Sequence, residues 1–319
     1  MYPENLENEN EDDSNLGFTN SESIRQKCGE IIRHKEIITN GHGSNNKDFV
    51  KDGISLILYN GTYNEKNVYL KVYYEKEVGK GNFKKAEKEI ELYKFFSEFR
   101  NQYSFIEYYG TCFYKNNDQK QNIMLVMQIV ENSLKNYLEN RSVPIEEEKL
   151  KVMYEDLVNS FEFMHKERVY HLDIKPDNIM IDGNEKLYII DFDVSVKDQI
   201  DKTRSVTVKG QACGTKGYAH PDIQKILDTK DDTLGYHKSD TDIFSLGMTF
   251  LHMAILSEFK NNLNLDENKN LLNTAIEKVK YNWAKDLIAT MLMSRNKGVI
   301  NWEKVKAKLP GNKTEEYNP

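Results

Sequence analysis

The chain has 319 residues, of which 39% are hydrophobic, 30% charged and 11% aromatic, with a formal net charge of -7. That length exceeds the usual single core, so one two-lobed unit or two smaller domains is expected, and the aromatic content argues against wholesale disorder. The negative balance gives no basic field for nucleic acid or acidic lipid, no run reaches the ~18 apolar residues that span a bilayer, and three cysteines without a C-x-x-C pair argue against a disulfide framework or structural zinc.

In chain order, MYPENLENENEDDSNLG has neither the basic start nor the apolar stretch of a signal peptide, so an intracellular location, cytoplasmic or nuclear, is expected. Residues 1–30 are acidic and Asn-rich, which predicts a disordered tail. From Ile54 to Tyr74 two β-rich runs flank a polar turn at Asn64, Glu65 and Lys66, the pattern of an antiparallel hairpin. KKAEKEIELYKFFSEF (Lys84 to Phe99) places Ile90, Tyr93 and Phe96 at helical spacing. Two further strand-like runs follow, FIEYYGTCFY and NIMLVMQIV, and past Val130 the pattern turns helical. There Met153, Leu157, Phe161 and Met164 form a core stripe, and FSLGMTFLHMAIL and WAKDLIATML are later apolar helices.

Chemistry concentrates in HLDIKPDN, residues 171–178. The following NIMI and LYII predict a hairpin around Asp182 and Gly183, which would return Asp191 to the same edge as Asp173, Lys175 and Asn178. A carboxylate that can accept a hydroxyl proton, an amide and a second carboxylate that can hold Mg²⁺, and a Lys that can neutralise a phosphoryl group are the parts phosphoryl transfer requires.

At these residues the chain resembles the eukaryotic protein kinase family, whose H-R-D-x-K-x-x-N pattern stands here as His171-Leu172-Asp173-Ile174-Lys175-Pro176-Asp177-Asn178. Other pieces follow in the family's order. VYLKV resembles V-A-I-K, LVMQIVENSL the hinge, and Asp191-Phe192-Asp193 the D-F-G motif. Cys213 to Tyr218 with His220-Pro221-Asp222 resembles the end of an activation segment, and Asp242 to Gly247 the D-x-W-S-x-G helix start. The resemblance implies an α+β bilobal fold over residues 35–309, with a small antiparallel β-sheet N-lobe and its helix (35–130), a larger mainly helical C-lobe (131–309), and a tail at 310–319.

It also implies roles. Lys71 would grip the α- and β-phosphates of ATP, paired with Glu89 in preference to Glu87, because Leu92 and Tyr93 then fall inward. Met127 would be the gatekeeper, and Gln128 to Val130 would offer backbone to adenine. Asp173 would be the base, Lys175 would steady the γ-phosphate, and Asn178 with Asp191 would hold Mg²⁺. His171 packs in the core. Lys175 and Thr215 follow the Ser/Thr branch, so the implied partner is a protein substrate with a Ser or Thr hydroxyl, and no nucleic acid or membrane.

Several positions depart from the pattern. The Gly-rich loop has Gly41 and Gly43, then either Gly53 as third glycine after an insertion at Asn45 to Asp52, or Ser55 in its place with Ile57 at the usual Val. Asp193 replaces the last Gly of D-F-G. Leu172 replaces Arg, which removes the usual partner of a phosphorylated activation segment, although Thr203, Ser205 and Thr207 are candidate phosphosites. His220 and Asp222 replace Ala and Glu of A-P-E, with Arg295 the candidate partner of Asp222. These departures define the alternative, a pseudokinase acting as scaffold or allosteric regulator.

Overall fold

The computed structural model describes residues 22–26, 29–36, 54–115, 118–198, 208–209, 212–231, 233–257, 262–295 and 298–311. The chain divides into two compact units, one of residues 1–100 and 106–130, the other of residues 101–105 and 131–319.

The first unit is built on strands β1 (Glu22–Gln26), β2 (Gly29–Glu36), β3 (Ile54–Tyr63) and β4 (Lys66–Glu75), helix α1 (Lys84–Ser97), and strands β5 (Tyr108–Lys115) and β6 (Gln121–Gln128). They form a six-stranded sheet in the order β1-β2-β3-β4-β6-β5, every neighbouring pair antiparallel. The β3–β4 hairpin closes through Asn64 and Glu65, both with positive φ (47° and 64°), the two-residue turn whose twist matches the strands it joins. Val68, Leu70, Val72 and Tyr74 of β4 share one sheet face with Tyr59, Cys112, Met124 and Val126 in a buried cluster. Lys71 and Tyr73 take the other face, toward α1.

The expected tail at 1–30 is corrected over its last part. Glu22–Gln26 and Gly29–Glu36 are strands, with Ile24 opposite Ile31, and β2 in turn pairs with β3 through Ile31 and Tyr63. Backbone donors and acceptors along β3 supply the template for pairing; the acidic residues that make 1–30 read as unstructured cluster at Glu4 to Asp13, ahead of these charge-balanced strands. Residues 1–21 lie outside the described residues. So do Gly41, Gly43 and Gly53, in the connection between β2 and β3. Ser55, the other choice for the third glycine, is the second residue of β3, buried and opposite Tyr74.

The second unit carries strand β7 (Asn132–Ser133), helices α2 (Leu134–Glu139) and α3 (Glu147–Lys166), short strands β8 (Val169–Tyr170), β9 (Ile179–Ile181), β10 (Leu187–Ile189), β11 (Val196–Lys197) and β12 (Val208–Lys209), helix α4 (Pro221–Thr229), strand β13 (Gly235–Tyr236), and helices α5 (Lys238–Ile255), α6 (Lys269–Glu277), α7 (Asn282–Leu292) and α8 (Trp302–Lys306). Met153, Leu157, Phe161 and Met164 of α3 are all buried. Helix α5 is the centre of this unit, buried from Asp240 to Ala254. Gly247 lets it approach α7 closely, since a Cβ there would stand 2.9 Å from the Met291 Cβ. The segment 101–105 belongs here too: Ser104 accepts from the Ile189 N–H (2.7 Å) and donates its own N–H to Ser160 Oγ (2.8 Å).

Candidate active site

Two polar clusters stand out, one in each unit. In the first, Lys71 is held on β4 by pairing on both sides, opposite Leu58 and Leu125. Its Nζ donates to Glu89 Oε1 at 2.7 Å, with Glu89 fully buried. Helical spacing puts Leu92, Tyr93 and Phe96 on the same buried side, and Glu87 on the exposed one, so Glu89 is the partner. Tyr73, two residues along the strand, donates its hydroxyl to Glu89 Oε2. Met127 is buried opposite Tyr69. The Gln128 N–H donates to the Glu107 carbonyl (2.8 Å), and Val130, two residues on, is buried.

In the second unit, β8 leads into the 171–178 loop and the β9–β10 hairpin brings the chain back to Asp191, as Ile190 donates its N–H to the Asn178 carbonyl (3.1 Å). Asp173 is the hub. Its Oδ1 accepts from Thr215 Oγ1 (2.7 Å), and its Oδ2 pairs with Lys175 Nζ (2.9 Å) and accepts from Asn178 Nδ2 (3.1 Å). Lys175 also donates to Thr215 Oγ1 (2.6 Å), which closes a ring of three side chains. The Asp173 side chain stays 17% exposed, which leaves it reachable by a hydroxyl.

His171 is structural: its Nδ1 accepts the Asp173 N–H (3.3 Å), its Nε2 donates to the Ile190 carbonyl (3.0 Å), and its ring packs near Phe161 and Phe192. Leu172 is buried with φ of 67°, a left-handed conformation that costs a branched residue about 1–2 kcal/mol. Asp242 of α5 holds it there. Its Oδ1 accepts the Leu172 N–H (2.8 Å), and its Oδ2 accepts the His171 N–H (2.8 Å) and His165 Nε2 (2.9 Å). Nearby, burial pushes the Tyr236 hydroxyl up to about 12, with Cys213 and Asp242 adding to the effect, so it stays protonated through the neutral range.

Asp191 has φ of 67°, and Phe192 behind it is buried. Asp193 is outside the left-handed region, so a side chain fits the backbone there without strain. His220 caps α4 by accepting the Asp222 N–H at Nδ1 (3.1 Å), and its Nε2 donates to the Ser294 carbonyl (3.2 Å). The side chain of Arg295, expected to pair with Asp222, and the three candidate phosphosites lie outside the described residues.

Asn178 and Asp191 offer an amide oxygen and a carboxylate, hard ligands suited to Mg²⁺. Among the described residues no group of three or more His, Cys, Asp or Glu could hold a metal ion. A cation here would complete its shell with phosphate oxygens and water, which is how Mg²⁺ is commonly held with nucleotides.

The model of the protein kinase domain matches residues 57–307. The chain belongs to the protein kinase family. Kinase relatives include CBL-interacting protein kinase 28 of Oryza sativa, 32% identical over 104 residues, covering 33% of this chain and 22% of that one. CBL-interacting serine/threonine-protein kinase 10 of Arabidopsis thaliana is 36% identical over 92 residues, 29% of this chain and 17% of that one. The dual specificity protein kinase zak2 of Dictyostelium discoideum is 28% identical over 147 residues, 44% of this chain and 20% of that one. The matched regions span less than a quarter of these three relatives. The kinase fold class expected from the sequence, an antiparallel sheet unit and a helical unit, is the one observed.

Sequence reasoning did not assign three contacts of these clusters. Thr215 was read as a branch marker, yet it bonds Asp173 from 42 residues away. Asp242 was one letter of a helix-start motif, and Tyr73 had no role. The period-2 pattern that puts Tyr73 on the Lys71 face was the available clue.

Proposed function

We propose that this chain is an active serine/threonine protein kinase that transfers the γ-phosphate of Mg·ATP to hydroxyls of protein substrates. The observation that carries the reading is the Asp173 carboxylate, held at once by Thr215, Lys175 and Asn178 and still open on one side. Asp173 orients the substrate hydroxyl and takes its proton, Lys175 neutralises charge on the transferring group, and Asn178 with Asp191 holds Mg²⁺. Lys71, steadied by Glu89, positions the α- and β-phosphates, and the backbone from Gln128 to Val130 meets the base. An intracellular location, cytoplasmic or nuclear, belongs to this reading, since three cysteines without a C-x-x-C pair suit a reducing compartment.

The deciding experiment is transfer of radiolabelled γ-phosphate from Mg·ATP by purified protein, to itself and to a generic basic Ser/Thr protein. Phosphoserine or phosphothreonine is the expected product. No transfer by a folded sample would overturn the reading and leave a scaffold or allosteric regulator, the role that Leu172 and Asp193 motivate.

Two smaller effects follow from the same roles. ATP with Mg²⁺ at 100-fold over its Kd should stabilise the protein by about 2.7 kcal/mol, and ATP with EDTA by clearly less. A thermal-shift titration measures both. Thr215→Ala should slow transfer roughly 10-fold, the worth of one hydrogen bond to a charged group, with ATP KM unchanged. Steady-state kinetics would separate the two parameters.

A further inference from the structure

A fully buried carboxylate needs a donor for each oxygen, because an under-satisfied charge away from water is costly. Glu89 meets that need from one strand: Lys71 Nζ donates to Oε1 at 2.7 Å and the Tyr73 hydroxyl donates to Oε2. The Lys71 ammonium also lies 5.7 Å from the Tyr73 ring centroid. Lys71, Tyr73 and Glu89 therefore form one network inside the first unit.

Two things about this network matter for the phosphate grip. A tyrosine hydroxyl is neutral, so it fixes Glu89 without competing for the Lys71 charge, and Lys71 can turn part of its donor capacity to phosphate while Glu89 stays in place. In the second unit, the residue before Asp173 is Leu172, buried and apolar, so that position offers no cation to a phosphorylated segment. A bond from β4 to α1 needs no such phosphate.

We propose that Tyr73 is a positioning residue of the phosphate grip: its hydroxyl holds Glu89, and through Glu89 it holds Lys71, without help from phosphorylation of the activation segment. This rests on the kinase reading above, and the test separates the two.

Tyr73→Phe keeps the ring and removes only the hydroxyl. Its ATP KM should rise about 10-fold, as for a lost hydrogen bond to a charged group, with kcat much less affected. Wild-type activity should survive phosphatase treatment. In parallel, denaturant unfolding of wild type, Tyr73→Phe, Glu89→Met and the double variant forms a cycle that needs no activity. The cost of Tyr73→Phe should largely vanish in the Glu89→Met background. Equal costs in both backgrounds, or a wild-type ATP KM for Tyr73→Phe, would overturn the proposal. Activity lost on phosphatase treatment would overturn its independence from phosphorylation. Intact coupling in a protein that transfers no phosphate would sink the kinase reading and leave the Tyr73–Glu89 latch standing.

Discussion

Asp173→Asn is expected to slow phosphoryl transfer by about 10³-fold, within the usual range for removing a positioned general base, while the protein stays folded. The carboxylate accepts from Thr215 and Asn178 and pairs with Lys175, and the side chain stays partly open. An asparagine brings one oxygen and one NH₂ group to the same place. The NH₂ must face at least one existing donor, and the amide cannot take up the substrate proton at neutral pH. Because the side chain is partly open, the cost in stability should be only about 1 kcal/mol. ATP affinity should hold, since the phosphate grip and base contacts assigned to the first unit are untouched. Single-turnover transfer with excess enzyme isolates the chemical step, and a wild-type rate there would remove Asp173 from the role of base.

How much of this was readable depends on how local each feature is. The family and the fold class were legible because the residues that carry them sit in short contiguous runs, His171 to Asn178 and Asp191 to Asp193, joined by a hairpin whose ladder is also local. The choice of Glu89 over Glu87 was legible for the same reason: both lie on one helix, and the 3.6-residue period assigns one inward and one outward. The Thr215 and Tyr73 bonds were not, because they join separate elements and periodicity within one segment does not say which side chain lies across from it. Strands β1 and β2 were missed for a related cause. Their pairing comes from the neighbouring edge, and their own short, polar, charge-balanced runs follow an acidic, Asn-rich stretch that points away from order.

Asp242→Ala should produce the opposite profile from Asp173→Asn, with stability lost first and activity following from it. Asp242 is fully buried, and three donors from two parts of the chain converge on it: the N–H groups of His171 and Leu172, and the His165 ring at the end of α3. The His165 ring is itself tied down, since its Nδ1 accepts the Trp302 indole N–H at 2.8 Å, which extends the connection to α8. Alanine removes one acceptor and leaves three buried donors without it, a loss of about 3–5 kcal/mol against a total of roughly 5–15 for a typical domain. The strained φ of Leu172 offsets a part of that loss, because the bond that holds it at 67° is gone and the loop can relax to an ordinary conformation. That relaxation would move Asp173, one residue on, and a shift of about 1 Å is enough to lose on the order of 10²-fold in rate. Asp242→Asn keeps one oxygen and should fall between the two. Urea denaturation paired with the transfer assay tests this. If Asp242→Ala unfolds at the wild-type midpoint and yet is inactive, Asp242 acts on the chemistry directly and not through the loop it anchors.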